Sequence, residues 1–114
     1  FEIEFELYKR KARLNEIREE NKQYAIHLEA EHEGYSKKGL EVKDSQYNEA
    51  VEDYLNIFDR LCYYILKKRL SDDDFKTQFR DALRQDIEGF QKQFSSPATP
   101  YKNMVQLHQK WSSE

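Results

Sequence analysis

One cysteine, two prolines and three glycines are few for a chain of 114 residues, and each scarcity excludes something. A lone Cys62 cannot close an internal disulfide, so nothing points to an oxidising compartment and a reducing cytosol is expected. So little Gly and Pro argues against a turn-rich sandwich and against a low-complexity chain. No apolar run approaches the roughly 20 residues of a membrane span. An excess of one charge is lacking as well. The net charge of −3 and pI near 5.7 exclude a general nucleic-acid binder, whose footprint is a strong basic surplus on one face. There is no glycine-rich phosphate loop, no serine nucleophile elbow and no metal-binding cysteine spacing. An enzyme is therefore not expected, and neither is a cofactor or a metal centre.

What is present is a charged fraction of 36% beside a hydrophobic fraction of 38%, a helix-rich balance. The length suits one domain with a single modest core, spanning residues 1–114. From Ile3 the heptad positions read Ile3, Leu7, Arg10, Leu14, Ile17, Asn21, Tyr24 and Leu28. This predicts a long, linker-like first helix over residues 1–34, stopped by Gly34. The opening Phe1, Ile3, Phe5 and Leu7 also alternate with glutamates as a strand would, but no second segment offers such a strand a partner. Ser45 or Asp44 is the expected cap of a second helix, whose apolar residues from Tyr54 to Leu70 surround most of its circumference. Ser71 followed by Asp72, Asp73 and Asp74 starts a third, with a face of Phe75, Phe79, Leu83, Ile87, Phe90 and Phe94. Thr99 and Pro100 open a short fourth helix with Tyr101, Met104, Val105, His108 and Trp111 along one side.

The expected fold is all-α: an antiparallel bundle of about four helices, its core over residues 45–112, with a long, projecting first helix. The projection follows from length, since about 33 residues span about 50 Å and about 26 span about 39 Å.

Candidate chemistry is thin. Glu29 and His32 have the Glu-x-x-His spacing of di-iron bundles, but no second pair exists and the stretch is polar, so a solvated helix end is the plainer reading. Cys62 lies in the most apolar stretch, with neither a neighbouring base nor an electropositive setting for a nucleophile. His108 reads as a core or rim histidine. Interaction features are better represented. Ile3, Leu7, Leu14, Ile17, Asn21 and Tyr24 could form a homodimer seam, Asn21 fixing its register. Lys9, Arg10, Lys11 and Arg13 form a basic cluster near the start. The sequence opens at Phe1 without an initiator Met, which reads as a piece cut from something longer, and the cluster suits the cytoplasmic flank of a missing span. Antiparallel pairing would bring Lys67, Lys68 and Arg69 to the same end, yet neighbouring acids leave that end nearly neutral. Tyr63, Tyr64 and Tyr101 are expected to reach the surface as partner contacts, because a tyrosine hydroxyl needs a partner or water.

The segment YLNIFDRLCYYILKKRLSDDDFKTQF resembles a widespread family of uncharacterised bacterial domains. The resemblance rests on the helix around Tyr54, Phe58, Leu61 and Ile65, a tight turn, and the acidic start at Asp72 to Asp74. It implies an N-terminal membrane helix, a long linker helix and a small helical domain, and it carries over no catalytic residue. The expected function is a non-enzymatic helical interaction module, the soluble part of a membrane-tethered bacterial protein on the cytoplasmic side. It would act on a protein partner or by self-association. A soluble regulatory or nucleic-acid-associated bundle, cytoplasmic and untethered, is the alternative; nucleic acid is the less expected partner.

Overall fold

The computed structural model describes residues 2–114 and is an all-α helical bundle, with no strand among the described residues. Its helices are α1 (Glu2–Glu29), α2 (Lys37–Leu66), α3 (Asp72–Gly89), α4 (Gln91–Phe94) and α5 (Lys102–Ser112). They form two compact units, Phe1–Leu55 and Asn56–Glu114, and α2 continues from one into the other. The alternation at the start resolves as helix: Leu7 is buried and Ile3 half-buried, while Phe5 is 66% exposed. Phe1 lies outside the described residues.

In the first unit the heptad stripe of α1 turns inward. Leu7, Leu14 and Ile17 are buried, and none of the described stripe positions is exposed. The partner at its polar positions is α2 of the same chain. The Arg10 guanidinium donates to the Asp53 carbonyl at 3.0 Å, and the Asn21 amide donates to the Asp44 carboxylate at 3.1 Å. The Tyr24 hydroxyl accepts the Ser36 backbone N–H at 3.2 Å. Gly39 sits so close to this hydroxyl that any side chain there would overlap the Tyr24 ring.

Two boundaries differ from expectation for local reasons. α1 stops at Glu29, short of Gly34, because Glu31 takes the left-handed conformation (φ 59°). Its N–H donates to the Leu28 carbonyl and the next, of His32, reaches back to His27. Together these form a Schellman closure of the helix end. α2 starts at Lys37, eight residues before Ser45, because Ser36 acts as the cap, its hydroxyl accepting the Gly39 N–H at 3.0 Å. α1 is the long first helix expected, with 28 residues and about 42 Å, and α2 is equally long, with 30 residues and about 45 Å.

The end of α2 repeats the closure. Lys68 is left-handed (φ 58°), its N–H donates to Ile65, and the Arg69 N–H reaches back to Tyr64. Left-handed backbone is costly for side chains other than glycine. Glu31→Gly and Lys68→Gly are each expected to raise stability by about 0.5–1 kcal/mol, measured as an increase in the urea midpoint at unchanged slope.

In the second unit, the Ser71 hydroxyl caps α3 by accepting the Asp74 N–H, as the acidic start predicts. Phe75, Phe79 and Leu83 are buried, and Phe79 meets Phe58 of α2 edge to face at 5.9 Å between centroids. The expected single third helix breaks after Gly89, so Phe90 and Phe94 are only half-buried. α5 starts two residues after Pro100 and takes its cap from elsewhere in the fold. Asp59 of α2 accepts the Met104 backbone N–H at 3.0 Å and the Asn103 side-chain amide at 2.9 Å. Met104, Leu107 and the indole of Trp111 fill the interior.

Candidate partner-binding surface

The corner where α2 gives way to α3 brings two aromatic side chains and a basic turn together. Tyr63 and Tyr64 are half-buried, and their rings meet edge to face at 5.7 Å. Lys67 lies one helical turn beyond Tyr63 and places its ammonium 5.8 Å from that ring centroid. The left-handed Lys68 then folds the backbone back, which sets the Arg69 guanidinium 5.9 Å from the Tyr64 ring. Both cations lie at a distance where the ring quadrupole attracts them. Lys67, Lys68 and Arg69 are all exposed. The corner therefore offers two half-buried tyrosines and three exposed cations on one short surface, with Asp72, Asp73 and Asp74 following at the start of α3.

The other sequence-singled residues are placed as follows. Tyr101 is corrected from a surface contact to a core residue. It is 5% exposed, its ring packs 5.6 Å from Phe94, and it precedes α5 beside the buried Thr99, whose hydroxyl accepts its backbone N–H at 3.3 Å. The dimer seam is corrected as well. Leu7, Leu14 and Ile17 are interior, Ile3 is half-buried, and Asn21 and Tyr24 bond to the α2 region of their own chain. A copy could use that stripe only by opening the α1–α2 pair. Asn21 keeps one cost of its polar character, a buried side-chain oxygen without a hydrogen-bond partner. In the basic cluster, Arg10 is tied to Asp53 and to Glu6, and the Lys11 ammonium sits 4.7 Å over the Tyr54 ring. Lys9 and Arg13 are exposed, Arg13 beside a groove that also contains Glu16, Glu20, Glu49 and Asp53.

Cys62 is fully buried, and desolvation, with a smaller contribution from the nearby Asp59 charge, pushes its thiol well above the ordinary value. The native thiol is expected to resist a disulfide-exchange reagent at pH 8 and to react fully in denaturing urea. Because the folded value is raised, this group leaves stability unchanged below the unfolded thiol's value of about 8.5. Above it, stability falls with rising pH as the unfolded chain releases its proton first.

Between α3 and α5 runs a groove of about 730 Å³, bordered by Lys76, Arg80, Arg84, Asp81, His108 and Trp111. His108 is a rim residue there. Lys76 is held by Glu114 at 2.7 Å and Arg84 by Asp81 at 3.6 Å, so acids within and beside the groove offset its cations. No group of three or more His, Cys, Asp and Glu side chains converges among the described residues. No described helix is long and apolar enough to cross a membrane.

Charge separates the two units. The first carries 14 acidic and 9 basic residues, a net −5, whereas the second carries 8 and 10, a net +2. The whole-chain value of −3 conceals this asymmetry. The Tyr63 and Tyr64 corner belongs to the basic unit. The Tyr63–Lys67 pairing has a signal in the sequence, the four-residue spacing, that sequence reasoning missed. The Arg69 pairing has none, because it depends on a left-handed lysine that no glycine marks.

Comparison with protein-family models, with curated proteins and with solved structures finds no match to this chain.

Proposed function

We propose that this chain is a non-enzymatic helical interaction module that docks a protein partner through the α2–α3 corner, and that the partner presents an acidic segment. The observation that supports this most directly is the pairing of Tyr63 with Lys67 and of Tyr64 with Arg69 on an exposed turn. Tyrosine and arginine suit interfaces because they give large contact area with a polar end, and a cation over a ring keeps its remaining donors for a carboxylate. The net +2 of this unit favours approach of an acidic surface. Within the same unit, two other chemistry-bearing groups serve the fold: Asp59 caps a helix and Cys62 is a buried, protonated thiol.

A photo-crosslinking residue at position 64, expressed in the native host, tests the reading. Discrete protein adducts are expected that disappear with Lys67→Glu and Arg69→Glu and are not reproduced by the same crosslinker at the exposed Glu52. Equal adducts from both positions, or nucleic-acid adducts at position 64, would overturn it.

The module is further proposed to be tethered at the cytoplasmic face of a membrane by a preceding segment. The exposed Lys9 and Arg13 support this, as the orientation tendency counts cations near a span and largely ignores acids. A native reading frame encoding about 20 apolar residues before Phe1 is the expected result. A frame without such a run removes the tether and leaves the docking corner untouched.

A further inference from the structure

The Schellman closure of α1 brings two imidazoles together. In this motif the third residue before the helix cap and the second after it meet, and the contact is usually apolar. Here those positions hold His27 and His32, and their Nδ1 atoms lie 3.0 Å apart. That is hydrogen-bonding distance, with the donor and acceptor roles set by the tautomers of the two rings. The arrangement is held from outside. Tyr35 stacks on His27 with centroids 4.9 Å apart, and Tyr24 meets Tyr35 edge to face at 4.9 Å. The Tyr24 hydroxyl is fixed in turn by the Ser36 N–H.

We infer that His27 and His32 form a two-imidazole clamp for a late first-row divalent cation such as Zn²⁺. Two metal–nitrogen bonds of about 2.0–2.1 Å separate their nitrogens by about 2.8–3.0 Å at a right angle and by about 3.3–3.4 Å at the tetrahedral angle. The 3.0 Å separation suits the right-angled geometry as it stands, and a tetrahedral Zn²⁺ requires the two nitrogens to part by about 0.3–0.4 Å. Zinc enters when the ring carrying the Nδ1 proton transfers it to Nε2, so both rings stay neutral and both Nδ1 lone pairs face the metal. No third protein donor converges among the described residues, and water completes the coordination. The surrounding field favours a cation. Residues 16–35 contain Glu16, Glu19, Glu20, Glu29, Glu31 and Glu33 against Arg18 and Lys22, and three of these glutamates, against the single cation Lys43, line the groove that contains His27 and Tyr35. Imidazole selects zinc, copper and nickel over magnesium, which prefers oxygen ligands. The Glu29 and His32 spacing noted in the sequence is not the pair that forms. Helix closure places His32 on His27 instead.

The full chain titrated with Zn²⁺ alone, in a buffer that does not bind metal, tests the clamp. One equivalent is expected to bind and to shift the Nδ1 resonances of His27 and His32, leaving His108 unmoved. His27→Gln and His32→Gln should each weaken binding at least tenfold at unchanged helicity, and Mg²⁺ should leave the imidazole resonances unmoved. Failure to bind at millimolar Zn²⁺, full affinity in His32→Gln, or equal imidazole shifts with Mg²⁺ would overturn the inference. None of these outcomes bears on the α2–α3 corner, which belongs to the other unit.

Discussion

Trp111→Ala is expected to be the most damaging single substitution, lowering stability by about 4 kcal/mol, or roughly 15 °C in melting temperature at about 4 °C per kcal/mol for a chain of this length. The indole is 1% exposed in the second unit. Truncation removes the largest of the fully buried side chains and leaves a cavity that packed helices cannot close. It also removes a specific bond. The indole N–H donates at 2.9 Å to Asp72, the first residue of α3, and Lys110 of α5 approaches the same carboxylate oxygen at 3.5 Å. The end of α5 is thereby fastened to the start of α3. Trp111→Phe separates the two effects, keeping most of the apolar volume and losing the donor. A loss of about 1–2 kcal/mol is expected, because Asp72 is partly exposed and keeps Lys110. Urea unfolding of the three proteins checks this, and equal losses for Phe and Ala would show that volume is not the dominant effect.

Asp59→Ala is expected to cost about 2–3 kcal/mol, more than the loss of an ordinary cap. A local cap contributes about 1 kcal/mol, and hydrogen bonds to a charged group about 1.5–3. Asp59 acts across the fold: one carboxylate oxygen takes the Met104 backbone N–H in the first turn of α5, the other the Asn103 amide. The positive end of the α5 dipole meets a negative charge as well. Alanine leaves both donors without their partner in a partly buried setting. Asp59→Asn retains an acceptor for one donor but lacks the charge, and about half the loss is expected. Hydrogen exchange should locate the effect, with α5 amides losing protection before those of α1. Uniform loss across all helices would mean that Asp59 supports the core generally and not this terminus.

The helices themselves were legible in the sequence wherever one face had to be buried. The heptad stripe from Ile3 to Leu28 is the inner face of α1, the wide apolar surface after Tyr54 is the core of the second unit, and Ser71 with three aspartates opens α3 where expected. These depend on period and local capping, both written in neighbouring residues. The stripe could not reveal its own partner. A seam suited to a second copy and one suited to α2 have the same spacing, and the difference lies in the bonds from Arg10, Asn21 and Tyr24 to residues 12 to 43 positions away. Tyr101 was misplaced for a related reason: its hydroxyl suggested a surface, whereas its position before α5 put the ring inside.

The sequence alone determined that the chain is helical and where its apolar faces lie. Tertiary structure decided how the helices end, and both candidate sites are consequences of those endings. Glu31 and Lys68 adopt left-handed backbone without being glycine, so no local signal marks them. Each reversal then joins residues five positions apart, His27 with His32 and Tyr64 with Arg69, which a continuing helix would have directed to different faces. A non-glycine residue takes that conformation only where the surrounding packing outweighs its local cost, and that balance is not contained in any short stretch of sequence.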